Sequence, residues 1–71
     1  MTEIRFTVEE DPEGGYIAKA KTLGKYIFTA AENLNDLKDF VKDAVRYRFK
    51  DIKKRPKLIR LLLPKGEVVT A

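Results

Sequence analysis

The sequence predicts an α+β domain in which a single helix packs on one face of an antiparallel β-sheet. Three observations support this fold class: apolar and polar residues alternate in the first part of the chain, one central segment has helical periodicity, and an apolar run follows it. Together they give the order β-β-β-α-β in two layers. The length of 71 residues, without a repeat or a linker, indicates one domain over residues 1–71.

The first strand and the turn after it are the most clearly marked elements. Residues 3–9 alternate strictly between apolar and polar side chains, as in a half-buried strand. Its inward residues are expected to be Ile4, Phe6 and Val8. In the turn at residues 11–15, Pro12 presets the φ angle of a corner position, and Gly14 or Gly15 can take the positive φ that closes a hairpin.

Two further strands are expected before the helix. The second spans about residues 16–22, and a short break at Leu23 and Gly24 separates it from a third strand at 25–29. Alternation divides the side chains of the sheet between two faces. We expect the core face to carry Tyr16, Ala18, Ala20, Tyr26 and Phe28. We expect the opposite face to carry Arg5, Thr7, Ile17, Lys19, Lys21 and Ile27.

An amphipathic helix is expected after the third strand. Asn33 is a suitable N-cap, and Asp36 places a carboxylate in the first turn, where the helix dipole favours it. Apolar residues then recur at helical spacing, and the pattern ends near residues 50–52, before Pro56, which cannot continue a helix. The expected buried stripe contains Leu34, Leu37, Val41, Ala44, Val45 and Arg48, broadened by Phe40 and Phe49.

The fourth strand, at residues 57–63, is apolar on both faces. One face carries Ile59, Leu61 and Leu63. One helix covers only one face of a sheet, so we expect the second face, with Leu58, Arg60 and Leu62, to form a subunit interface. The alternative is a central strand covered by the C-terminal tail, in which residues 67–71 either pair as an edge strand or fray.

The residue types that are absent limit the chemistry. His, Cys, Ser, Trp and Gln do not occur, so the usual nucleophiles and the commonest general base are missing. We therefore expect no enzyme activity, no metal and no cofactor. A chain this short, without disulfides or a metal, gains stability most readily from a partner subunit, so we expect a homo-oligomer, either a dimer or a higher assembly.

The composition also bears on location and source. No segment approaches the roughly 18 consecutive apolar residues that span a bilayer, and the first five residues lack the pattern of a signal peptide. We therefore expect a cytoplasmic protein without a membrane partner. Depletion of Gln and Cys together with 37% charged residues fits a thermophilic source.

Charge is divided unevenly along the chain. Residues 1–36 carry four Lys/Arg against seven Asp/Glu, a net charge of −3, and residues 37–71 carry eleven against four, a net charge of +7. The densest cluster of cations contains Arg46, Arg48, Lys50, Lys53, Lys54, Arg55, Lys57 and Arg60. This cluster predicts a contact for nucleic-acid phosphates or for a protein partner, with Tyr47 and Phe49 available to stack on bases. The alternative is a solvated face in which the cations oppose the helix dipole and both aromatic rings lie in the core.

Several short motifs follow one another in the order found in a known family. They are Val-Glu-Glu-Asp at residues 8–11, Gly-Gly-Tyr-Ile-Ala at 14–18, Asn-Leu-Asn-Asp-Leu at 33–37 and Tyr-Arg-Phe at 47–49. This ordered set, over about residues 3–63, resembles the HicB-like antitoxin family. The chain is most similar to the short stand-alone members of that family.

The resemblance implies a partly RNase H-like fold without catalytic carboxylates, self-association through the sheet, and protein–protein binding. Complete antitoxins of the family cover an RNA-cleaving toxin and bind operator DNA through a C-terminal segment. We expect this chain to lack the DNA-binding segment and to have a toxin-like RNase as its partner. The basic second half of the chain supports a different function, a small nucleic-acid-binding protein that uses residues 46–60.

Overall fold

The computed structural model describes residues 2–22 and 24–71, and in this part of the chain one α-helix packs on a five-stranded sheet. The elements are β1 (Glu3–Glu10), β2 (Tyr16–Thr22), β3 (Lys25–Ala31), α1 (Leu34–Arg48), β4 (Leu58–Leu62) and β5 (Val68–Thr70). The α+β class with a single helix is confirmed. Met1, and Leu23 of the expected break, lie outside the described residues. Within the described residues, no helix has the length and apolar composition needed to cross a membrane.

The sheet is mixed, which corrects the expected antiparallel topology. Its strand order is β3-β2-β1-β4-β5, and β4 pairs with β1 in parallel while the other neighbouring strands pair antiparallel. The helix returns the chain to the end of the sheet where β3 began. Therefore β4 runs in the same direction as β3, and hence as β1. An antiparallel β4 would instead have to begin at the end of the sheet where β3 finishes.

The third strand presents the opposite face from the one expected. Ile27 is 6% exposed and belongs to the core, whereas Tyr26 is 58% and Phe28 63% exposed. The reason is the two-residue connection from β2, which makes Thr22 and Lys25 register partners. A short hairpin connection fixes the register, and a shift of one residue would exchange the two faces of the strand.

The side chains opposite β3 are consistent with this register. Ala20 of β2 pairs with Ile27, and both are buried. Lys19 pairs with Phe28, and both are exposed. The expectation from alternation was therefore correct about the period of β3 and wrong about which set of residues faces the helix.

The turn between β1 and β2 forms as expected. Gly14 and Gly15 have φ angles of 105° and 85°, and the amide of Asp11 donates a hydrogen bond to the carbonyl of Gly15 at 3.0 Å. A Cβ atom at Gly15 would lie 2.6 Å from the carbonyl oxygen of Ala31. The lack of a side chain at this glycine therefore allows the end of β3 to pass close to the turn.

The helix begins and ends close to the expected positions. The side-chain oxygen of Asn33 accepts a hydrogen bond from the amide of Asp36 at 2.8 Å, which confirms the N-cap. The helix ends at Arg48, and the next residue, Phe49, is buried. Phe40 is 44% exposed and lies along the groove beside β3, so the expected broadening of the buried stripe is correct for Phe49 and wrong for Phe40.

The core lies between the helix and one face of the sheet. Its buried members are Ile4, Phe6, Val8, Ala18, Ala20, Ile27, Leu37, Val41, Val45, Phe49 and Leu61. The opposite side of the sheet, which we call the open face, is not covered by the helix. The C-terminal tail forms β5 beside β4, with Leu62 and Val68 as register partners. Thus β4 is a central strand, and the tail extends the sheet without covering the open face.

Candidate functional site

The basic cluster predicted from the sequence is divided among separate parts of the fold. Arg46 lies on the exposed surface of α1, with its Nη2 2.7 Å from Oδ1 of Asp43. Arg60 lies in β4 on the open face, with its Nε 2.8 Å from Oε1 of Glu3. The remaining cations lie at or after the C-terminus of the helix. The fold therefore separates Arg60 from the rest of the cluster, whereas Arg46 and Arg55 line one shallow pocket.

Arg55 has a structural contact. Its Nε donates a hydrogen bond to the backbone carbonyl of Phe49 at 3.0 Å, and its side chain is half-buried beside Pro56, which is buried. A cation at this point satisfies a carbonyl at the helix C-terminus and opposes the helix dipole. Arg55 therefore has a structural role in the turn after α1.

Four lysines of the cluster are exposed on the segment after the helix. They are Lys50, Lys53, Lys54 and Lys57. In the described part of the chain, none of the ion pairs involves these lysines. The Nζ atom of Lys50 lies 5.3 Å from the ring centroid of Tyr47, which is 78% exposed. The expectation that both neighbouring rings lie in the core is therefore correct for Phe49 and wrong for Tyr47.

The residues predicted to form a subunit interface lie together on the open face. Leu58, Arg60 and Leu62 pair with Glu3, Arg5 and Thr7 of β1. Leu62 is 43% exposed, whereas Leu58 and Arg60 are half-buried. Because the guanidinium of Arg60 interrupts the apolar area, this surface is mixed in character. Its role as a subunit interface stays a prediction.

The edge of the sheet at β3 carries a surface that the sequence analysis did not identify. A shallow groove follows this edge, with the strand on one side and the helix on the other. Four aromatic side chains border it: Tyr26, Phe28, Phe40 and Tyr47. All four are more than 40% exposed. Each is separately compatible with a core position, and only the strand register and the helix orientation bring them together at the surface.

The open face combines two of these aromatic residues with charged side chains. Tyr26 and Phe28 lie at its β3 end, beside Lys21 and Lys19 of β2. Further along the face, the Glu3 carboxylate accepts hydrogen bonds from Arg5 Nε at 2.6 Å and from Arg60 Nε at 2.8 Å. The hydrogen bond from Arg5, followed by that from Arg60, holds the pKa of Glu3 below its usual range. These two hydrogen bonds hold the side chains of Arg5 and Arg60 near the middle of the sheet.

The acidic residues do not gather into a group that could hold a metal ion in the part of the chain that is described. No group of three or more potential ligands converges within residues 2–22 and 24–71. The acidic run at residues 9–13 forms the end of β1 and the following turn, where the amide of Glu13 donates a hydrogen bond to the Asp11 carboxylate at 3.0 Å. This is the geometry of an ordinary charged hairpin.

Comparison with known proteins relates this chain to an archaeal protein. It is 51% identical over 55 residues to a UPF0150 protein of Archaeoglobus fulgidus, and the alignment covers 78% of this chain and 77% of the relative. No protein-family model matches the chain. No solved structure gives a significant match. With identity at this level over most of both sequences, the chain belongs to the UPF0150 family.

Proposed function

We propose that this chain is a non-enzymatic interaction module that acts by self-association and by binding a protein partner, in the manner of a HicB-type antitoxin domain. The observation that carries the proposal is the outer edge of β3. This strand has seven residues and lies at the end of the sheet, and the exposed rings of Phe40 and Tyr47 of the helix border the groove beside it. The main-chain groups of an edge strand pair readily with another strand, and burial of these two rings stabilises the pair.

A second copy of the chain fits this edge. Two β3 strands related by a two-fold axis perpendicular to the sheet would pair antiparallel and join the two five-stranded sheets into one. The two helices would then lie on the same side of the joined sheet. Phe40 and Tyr47, which border the groove, would approach their counterparts across the axis. The contact would therefore bury main-chain edges and aromatic surface together.

The family resemblance suggests the second partner. A toxin-like RNase needs a basic surface to bind RNA, and the turn at residues 9–13 offers a complementary acidic one, with Glu9, Glu10 and Glu13 exposed. We therefore propose that this hairpin contacts the toxin-like protein. We also propose that the protein is located in the cytoplasm.

The test begins with the mass of the purified chain in solution over a range of micromolar concentrations. We expect a multiple of 8.2 kDa, measured by light scattering or sedimentation. The chain is then mixed with a small basic RNase encoded beside it, and RNA cleavage is followed. Inhibition of cleavage when the chain and the RNase are present in equal molar amounts supports the proposed binding of a toxin-like protein. A monomer at every concentration, together with unchanged cleavage, contradicts the proposal.

The exposed lysines after the helix support a second candidate function, nucleic-acid binding through the 46–60 segment. The matched experiment reverses the charge of Lys53, Lys54 and Lys57 together and leaves Arg55 unchanged, because Arg55 bonds to the helix end. If this segment contacts duplex DNA, the logarithm of the affinity falls by about 0.9 per phosphate neutralised for each decade of salt. The triple variant should then lose binding and keep its melting temperature. Equal affinity of variant and wild type would exclude this candidate.

A further inference from the structure

The open face of the sheet carries a stacked pair of exposed rings beside cations. The ring centroids of Tyr26 and Phe28 are 5.8 Å apart and the ring planes make an angle of 29°. Lys21 and Lys19 lie directly opposite them in β2, and the Nζ atom of Lys21 is 5.8 Å from the Tyr26 centroid. We propose that this face binds a single-stranded nucleic acid, with bases stacked on the two rings and phosphates on the neighbouring cations.

The spacing of the rings suits two bases of one strand. Residues i and i+2 of a β-strand lie on the same face about 6.6 Å apart, so each ring can accept its own base. The rings are also held in place before binding, because β3 pairs with β2 from Lys25 to Ala31. Stacking on aromatic side chains requires unstacked bases, which a single strand offers and a duplex does not.

The cations extend from the rings across the sheet. Arg5 and Arg60 are register partners in β1 and β4, and the side chain of Arg5 is 78% exposed. The cations of this face are Lys19, Lys21, Arg5 and Arg60, and its carboxylates are Glu3 and Glu9. Strands are about 4.8 Å apart, so the cations of β2, β1 and β4 span about 10 Å. Glu3 pairs with Arg5 and Arg60, and Glu9 pairs with Lys19, so the four cations outnumber the two carboxylates. A backbone that leaves the rings therefore meets a net positive charge.

The lysines favour a nucleic acid over an apolar protein surface as the occupant. Lys19 Nζ lies 3.6 Å from Glu9 Oε1, whereas no ion pair of the described residues involves Lys21. A flat apolar partner that covered Tyr26 and Phe28 would therefore remove the Lys21 ammonium group from water without a replacement charge, which is costly. Phosphates of a stacked strand would pair with the same ammonium group. The lysines that follow the helix are not part of this face, so the site shares only Arg60 with the 46–60 segment.

The experiment measures fluorescence anisotropy of labelled oligo(dT), oligo(rU) and a duplex of the same length with the full chain, at low and moderate salt. Phe28→Leu keeps an apolar side chain and removes the ring, and Phe28→Tyr keeps the ring. We expect the Leu variant to lose about 5- to 150-fold in affinity for the single strands, the effect of one stacked base, and the Tyr variant to bind like the wild type. The two oligonucleotides show whether the natural ligand is DNA or RNA.

A second pair of variants tests the cations. Lys21→Ala should lower the salt dependence of single-strand binding by about 0.7 in log–log slope, whereas Lys42→Ala, an exposed lysine on the helix, should leave the slope unchanged. All variants are checked for melting temperature and for solution mass, so that a loss of self-association is seen separately from a loss of binding.

Three results would overturn the inference. One is the absence of single-strand binding at low salt, and another is tighter binding of the duplex. The third is a Leu variant that binds oligonucleotides like the wild type. A Leu variant that changes only the solution mass would assign the rings to the subunit contact instead, and the proposed function would then stand while this inference fails.

Discussion

The two edges of the sheet differ in length and in the side chains around them. β3 has seven residues with exposed aromatic rings on both sides, whereas β5 has three residues, Val68–Thr70, and follows the turn Pro64-Lys65-Gly66. Short strands, proline and lysine are devices by which proteins prevent edge-to-edge association. The comparison teaches that the β5 edge carries features that protect an edge strand and that the β3 edge has the length and the exposed rings that favour pairing.

The largest expected effect is the difference in stability between a substitution on the buried side of β3 and one on its exposed side. Ile27→Ala should lower the free energy of unfolding by about 2–5 kcal/mol because it leaves a cavity between the sheet and the helix. Phe28→Ala, one residue away and 63% exposed, should cost much less in the unfolding of the isolated subunit. Urea denaturation at low protein concentration measures both. Similar losses would show that Phe28 is also part of the core.

The next effect compares the turn between β1 and β2, which lies against the end of β3, with the turn that leads to β5. Gly15 and Gly66 both have positive φ, so an alanine at either position is strained by about 1–2 kcal/mol. Gly15→Ala should cost more, because its Cβ would lie 2.6 Å from the Ala31 carbonyl oxygen at the end of β3, whereas nothing lies within 4 Å at Gly66. Equal changes in the urea midpoint of the two variants would mean that the end of β3 moves away from the new Cβ atom at residue 15 without an energetic cost.

Charges placed at the two edges should act differently on self-association. Phe40→Lys together with Tyr47→Lys introduces repulsion and removes aromatic surface beside β3, so the dimer should dissociate at least about tenfold more readily, equivalent to 1.4 kcal/mol. Val68→Lys, on β5 and 55% exposed, is the control and should leave the solution mass unchanged. Sedimentation at several concentrations measures the dissociation constant. The reverse pattern would place the subunit contact at β5.

The smallest effect concerns the ion pairs of the open face near β4. The pKa of Glu3 is lowered in the folded chain, from an ordinary value of 4.5, by its hydrogen bonds to Arg5 and then Arg60. Its contribution to stability is therefore present above pH 4.5 and is lost as the pH falls through the lowered pKa. Glu3→Gln should make the melting temperature less sensitive to pH in this acid range. An unchanged acid dependence would show that the ion pairs do not stabilise the fold.

Local sequence features predicted much of the fold because they depend on neighbouring residues alone. The alternation of Ile4, Phe6 and Val8 fixes the inner face of β1, and Asn33 and Asp36 form the N-cap through one short hydrogen bond. Glycines at the first turn take the positive φ expected of them. These interactions involve residues at most a few positions apart, so no knowledge of distant partners is needed.

The candidate sites were harder to predict because their residues are distant in sequence. The basic cluster is contiguous in sequence, yet the fold places Arg60 on the open face, away from Arg46 and Arg55, and gives each of the three a different contact. The aromatic residues that border β3 come from a strand and from the helix, so no sequence window contains them all. A core position for these aromatic residues would satisfy the same periodicity, so the periodicity does not show that they are exposed.

By itself, the sequence determined the order of the elements, the turns, the helix N-cap and the period of each strand. Only the tertiary structure decided that β4 runs parallel to β1, that β5 closes one edge, and that Tyr26 and Phe28 face outward. The physical reason is that periodicity divides a strand into two faces without stating which face is buried. That choice depends on the register with the neighbouring strand and on where the helix returns the chain.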